Sequence, residues 1–290
     1  MRIEYRIYEK TTGQALGVLN SQFKIRNSQF KIPNSPYLRT MRSFKIALLS
    51  LFALALVFSG CKKANNGSLT IQLKARFNGQ NVAFDTTRFT DKENRLVQFA
   101  TLKFLVAHIT LVGTDNSYHE VSPVELVDFS NPNSLTLNFN NLKGDYKAIQ
   151  FGCGLDSILN DTNPLTVDVN SPLSNNNIGD MYWMWAKYTF ENLSGKWDYN
   201  SDTLSVFRHG LFYLISGDSL YRYPVTLSKN LSVCCGKTTT AVLYIDLQKI
   251  FYGSTETIDI PNENGTISST ADNPVIAPAF ADNFARAFTF

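Results

Sequence analysis

Residues 69–77 run Leu-Thr-Ile-Gln-Leu-Lys-Ala-Arg-Phe, with an apolar side chain at every second position. A period of two puts Leu69, Ile71, Leu73, Ala75 and Phe77 on one face of an extended strand and the polar residues on the other. Eight further stretches are strand candidates: 102–112, 124–129, 135–139, 146–151, 182–193, 203–214, 221–227 and 239–247. Asn-Pro-Asn, Lys-Gly-Asp and Ser-Gly-Asp separate some of them, and no long helical periodicity lies between. Short strands at this spacing predict an all-β fold, an antiparallel β-sandwich. Residues 154–180 interrupt the series as a long polar loop, and loops of that length are usually functional or disordered. At the C-terminus Phe280, Phe284 and Phe288 recur at every fourth position, which predicts a short amphipathic helix packing its Phe stripe onto the sandwich.

The first sixty residues follow other rules. Residues 41–61 begin with a cationic segment (Arg42, Lys45), continue through an apolar run from Ile46 to Phe58, and end Ser59-Gly60-Cys61. That pattern predicts a secretory signal closed by a lipobox, with Cys61 lipidated as the mature N-terminus. The apolar run is too short for a transmembrane helix, which needs about 20 residues. Residues 1–40, upstream of this signal, contain Asn-Ser-Gln-Phe-Lys-Ile twice, at 20–25 and 27–32, a repeat too short to be a structural unit. They are expected to be a mis-called extension, with Met41 the start. Residues 61–67 then form a tether, and the domain occupies 68–290.

The net charge of +3 changes meaning with this division. Residues 1–60 hold nine Lys+Arg and two Asp+Glu, so 18 and 22 remain, a net −4 for the mature chain. No basic stripe interleaved with aromatics is present, which excludes the usual electrostatic footprint of a nucleic-acid binder. Nucleophile-elbow, zinc-protease, phosphate-loop and dinucleotide motifs are absent as well, and no enzymatic activity is expected.

The densest chemistry lies in Met181-Tyr-Trp-Met-Trp185, which holds two of the three Trp and two of the four Met. On a continuous strand Met181, Trp183 and Trp185 would share one face, with Tyr182 and Met184 on the other. Several landmarks accompany it in order: Leu102–Leu111, Val124-Glu-Leu-Val-Asp128, Phe151-Gly-Cys-Gly-Leu-Asp156 with Asn160, His209-Gly210 and Asp282-Asn-Phe284. Together they resemble the MbnP-like family of exported copper-binding proteins, over roughly residues 68–290. The resemblance implies a β-sandwich and a mononuclear copper site, in which copper(I) is held by imidazoles and a tryptophan oxidised to kynurenine. It also implies a partner for that oxidation, a diheme enzyme related to cytochrome c peroxidase. By position Trp183 is the candidate for kynurenine and His209 for the imidazole, with Met181 and Met184 as thioether donors, all suited to soft copper. Where related sites place a second imidazole, this chain has Trp185. The other histidines, His108 in an apolar strand and His119 in an apparent turn, are expected to be structural and exposed respectively.

With Cys61 assigned to lipid, Cys153, Cys234 and Cys235 remain. In an oxidising compartment a bridge from Cys153 to Cys234 or Cys235 is the simplest pairing; a copper(I) thiolate site is the alternative. Asp156, Asp161 and Asp168 lie in the long loop at spacings unlike an EF-hand. The expectation is therefore a lipid-anchored protein of the outer membrane, on its periplasmic side, that captures or handles copper. A non-metal β-sandwich module binding a glycan or cell-envelope protein is the alternative, and thiol redox chemistry at Cys234-Cys235 a third reading.

Overall fold

In a computed structural model the described residues are 66–197, 209–253, 256–258, 266–267 and 275–290, the side chains of 209–216 and 266–267 excepted. The expected leader and signal, and Cys61, lie outside them. Fourteen strands and four helices follow in order: β1 (Gly67–Phe77), β2 (Gln80–Asn81), β3 (Arg88–Thr90), β4 (Leu96–Gly113), β5 (Tyr118–Asp128), β6 (Thr136–Leu142) and β7 (Gly144–Cys153). Two single-turn helices, α1 (Ser157–Asn160) and α2 (Asn175–Ile178), precede β8 (Tyr182–Trp183), β9 (Lys187–Trp197), β10 (His209–Ser216), β11 (Arg222–Val233) and β12 (Thr238–Asp246). The chain ends with α3 (Leu247–Phe251), β13 (Thr266–Ile267), α4 (Ile276–Arg286) and β14 (Phe288–Thr289).

The strands form two sheets. One runs β14-β12-β1-β2 with β6 also on β1; the other runs β11-β7-β4-β9-β10-β13, with β3 and β5 on β4 and β8 on β9. Eight of the nine predicted strands are present, 203–214 over its described part from His209, whereas 182–193 divides into β8 and β9; the alternation at 69–77 is realised with all five apolar side chains at 5% exposure or less. Most pairings are antiparallel, as expected of the sandwich, but β1 pairs β12 and β10 pairs β13 in parallel.

Strand β4 organises the larger sheet. On one edge it is paired by β5; on the other it is shared end to end, β9 taking 97–104 and β7 taking 106–113. The register shifts between Ala107 and Thr110, where His108 adopts φ 54°. That bulge lies where β7 and β9 part, and bulges re-aim side chains beside such sites.

The C-terminal helix is correctly anticipated but shorter than its Phe stripe. Phe280 and Phe284 are fully buried on α4, whereas Phe288 leaves the helix and pairs with Ile245 of β12. Phe284 contacts Phe104 at 5.3 Å and Phe288 at 5.4 Å, tying helix, large sheet and small sheet into one core. The 154–180 segment is built rather than open. Leu155, Leu173 and Ile178 are buried, and Tyr188 Oη donates to Leu173 O at 3.0 Å.

Candidate functional site

The Trp-rich segment is a hairpin, not a continuous strand. Tyr182 pairs with Tyr188 and Trp183 with Lys187, and Ala186 N–H donates to Trp183 O across the turn at 3.0 Å. The hairpin is anchored at its base. Met181 is fully buried, and the Tyr182 and Tyr188 rings meet edge to face at 4.9 Å. Lys103 bridges Asp128 and Asp180 just before it, and Lys187 pairs with Asp161, beyond α1. The tip is left outside: Trp183 is 44% exposed, Met184 92% and Trp185 77%, with the two indoles 6.4 Å apart and tilted by 49°. The expected alternation of faces from Met181 to Trp185 is therefore corrected. A turn inserts between Trp183 and Lys187, so Met181 belongs to the core and Met184 to the surface.

His209 is placed elsewhere. It opens β10 opposite Trp197, at the far end of β9 from the Trp183–Lys187 pair. Ten residues of strand separate those two levels, about 30 Å at the usual rise. The side chain of His209 lies outside the described residues, but no imidazole reaches across that span to share an ion with Trp183. Among the described residues no three His, Cys, Asp or Glu side chains form a group able to hold a metal ion.

The imidazole at the hairpin's end of the sheet is His108. Its Nε2 bonds Asp156 Oδ2 at 2.8 Å and its Nδ1 lies 3.4 Å from Glu120 Oε1. Burial alone would lower its pKa, but the two carboxylates outweigh it and hold the imidazole above its usual value. Asp156 also accepts the Leu159 N–H that caps α1, which, together with His108, holds it below the usual carboxylate range against its partial burial. His108 is thus satisfied structurally, as expected. His119 is exposed too, but on β5 opposite Leu111 rather than in a turn.

A second cluster lies on the inner side of the same end. Glu191 faces Phe104 across the β4–β9 pair, is fully buried, and neither carboxylate oxygen has a hydrogen-bond partner among the described residues. Burial raises its pKa to about 8, with Arg222 opposing. Arg222 pairs in register with Cys153 and forms an ion pair with Asp282 of α4. The Cys153 thiol is driven far up by burial and by the Glu191 charge. Sequence reasoning missed Glu191 and Arg222; the signal was present, a lone carboxylate amid Tyr188-Thr-Phe-Glu-Asn-Leu193.

The cysteine pairing is corrected. Cys153 is a buried free thiol, and Cys234 and Cys235 are bonded to each other. Cys153 opposes Arg222 at the start of β11, and the pair follows its end at Val233, about 35 Å away along the strand and far beyond disulfide reach.

Three of the sequence landmarks, Asp156, Asn160 and Asp282, lie at one end of the larger sheet, and His209 lies at the other. Asp156 meets His108, Asn160 Nδ2 donates to Asp218 at 2.7 Å and its Oδ1 accepts from Tyr188 N, and Asp282 meets Arg222. Comparison with solved structures finds MbnP from Methylosinus trichosporium, 11% identical, with a TM-score of 0.48, covering 74% of this chain and 87% of that one. No curated protein matches. A model of the MbnP family matches residues 66–270, well over half of the sequence, and the chain belongs to that family.

Proposed function

We propose that this MbnP-family chain is an exported, non-enzymatic protein, lipid-anchored through Cys61 at the outer membrane, that works by docking an envelope protein on its Trp183–Trp185 hairpin tip. One observation carries the reading: two indoles stand exposed on a hairpin whose base is fixed by Met181, Tyr188 and Lys187. Large rigid aromatics held out from a scaffold are the residues that dominate protein interfaces. The 49° tilt of the indoles, with exposed Ile158, Leu165 and Val169 on the preceding loop, suits an apolar protein surface better than a flat sugar ring. The partner that the family resemblance implies is the diheme cytochrome c peroxidase-like enzyme, for which Trp183 is presented at the surface.

The test is titration calorimetry of the mature chain with that diheme protein. Trp183→Ala together with Trp185→Ala is expected to weaken binding by about 30-fold or more, with the melting temperature nearly unchanged because both rings are outside the core. Equal affinity of variant and parent would remove the reading. Replacement of Cys61 by Ser is expected to abolish incorporation of labelled fatty acid.

Copper as cargo is the second reading, at a site other than the one expected from the sequence. Trp183 and His209 do not fit one mononuclear centre, and Met181 is sealed in the core. What favours copper(I) is Met184, exposed beside Trp183, whose thioether is a soft donor. On this reading Met184→Leu weakens copper(I) binding against a chelating competitor, and His209→Ala leaves it unchanged.

A further inference from the structure

The disulfide between Cys234 and Cys235 joins neighbours in sequence. Disulfides stabilise chiefly by closing loops in the unfolded chain, and the benefit grows with loop length. A bridge between adjacent residues closes no loop, so it contributes almost nothing of this kind.

The turn that holds it is defined without it. Lys237 N–H donates to Cys234 O at 3.1 Å, with Cys235 at φ 65° and Gly236 at φ 70°, the pattern of a type I′ turn. Gly236 N–H donates to Asn66 O at 2.8 Å, and Ser68 N–H donates to Lys237 O at 3.0 Å. Gly67 lies so close that an added Cβ would meet Lys237 O at 2.6 Å and Cys234 O at 2.9 Å. The backbone of the turn is therefore held by β1. Cys234 is half-buried and Cys235 exposed, so an incoming thiolate has access. Accessible disulfides are the exchangeable ones, whereas buried bridges are structural. The remaining described thiol, Cys153, is buried at the far end of β11 and cannot reshuffle with the pair.

We propose that Cys234–Cys235 is a reversible thiol–disulfide site, exposed at the end of the domain where β1 emerges from the tether, that accepts two electrons from a dithiol donor of the cell envelope. The donor's first thiolate attacks Cys235 Sγ; the S–S bond breaks, a mixed disulfide forms, and the Cys234 thiolate released takes up a proton. The donor's second thiolate then attacks the donor sulfur of the mixed disulfide and releases Cys235, which is protonated in turn. The donor leaves as a disulfide, oxidised by two electrons, and the protein gains two thiols. This inference stands apart from the docking and copper readings.

The experiment is alkylation and peptide mass spectrometry of the oxidised mature protein, without denaturant, before and after dithiothreitol, glutathione or a thioredoxin-type dithiol protein. No alkylation at 234 or 235 is expected before reduction and one at each after it, with the melting temperature shifted by less than about 2 °C and the bridge restored on reoxidation. Faster reduction by the dithiol protein than by glutathione identifies a protein donor, and the reverse identifies a small thiol. Resistance of the pair to all three under native conditions would overturn the proposal, as would loss of the fold on reduction. Cys234→Ser with Cys235→Ser is expected to keep the melting temperature and lose the signal; unfolding of that variant would assign the bridge a structural role.

Discussion

Between pH 4.5 and 8 the domain is expected to lose up to about 5 kcal/mol of stability, and Glu191→Gln to remove most of that loss. In the unfolded chain Glu191 ionises near 4.5, while burial holds it protonated in the fold until about pH 8. A carboxyl whose folded pKa is raised contributes stability that is complete below the unfolded value and is lost as the pH rises through the folded one. Above pH 8 the fold holds a buried charge with Arg222 as its opposing neighbour, and the curve flattens. His108 adds a smaller slope of the same sign. Its folded pKa is also raised, so its contribution declines above about 6.5, and this residue of the slope is expected to survive in the Glu191→Gln variant. Urea denaturation at pH 4.5, 6 and 8 measures both. Parallel curves for variant and parent would show that Glu191 is not the buried acid described.

Phe284→Ala is expected to destabilise the domain by about 4 kcal/mol, lowering the melting temperature by roughly 10 °C. The ring is fully buried and lies between Phe104 of the large sheet, Phe280 of its own helix and Phe288 of the small sheet. Truncation leaves a void that three different elements border, and close-packed cores relax into such voids only in part. The helix also carries Asp282 to Arg222 and Asn283, whose Nδ2 donates to Ile250 O at 3.0 Å, so looser helix docking weakens those links as well. A loss below about 1 kcal/mol in thermal or chemical unfolding would mean that α4 is not a keystone of the core.

The sandwich was legible because its strands are half-buried and alternate, as at 69–77, and because turn residues mark their ends. The hairpin at 182–188 was not, since Trp183-Met-Trp-Ala186 contains no Gly, Asn or Pro to announce a turn. Its base is set instead by tertiary contacts of Lys103, Asp161 and Leu173. The same missing signal led alternation to place Met181 and Trp185 on one face. His209 followed the order of motifs, which carries no information on which end of an antiparallel pair a residue occupies. The adjacent cysteines misled for a related reason: on a strand they diverge, but two left-handed residues at 235 and 236 turn the chain and let them bond. Glu191 was hidden because its neighbours come from β4, β7 and β11, remote in sequence.

The separation of the aromatic hairpin from His209 is the claim that divides a docking tip from the mononuclear copper site expected from the sequence. Double electron–electron resonance between nitroxide labels at Trp183→Cys and His209→Cys, in a Cys234→Ser, Cys235→Ser background that leaves only buried Cys153 in the domain, measures it directly. The account predicts a mean distance of about 30 Å; a distance under about 15 Å would bring the two residues within reach of one site and contradict it.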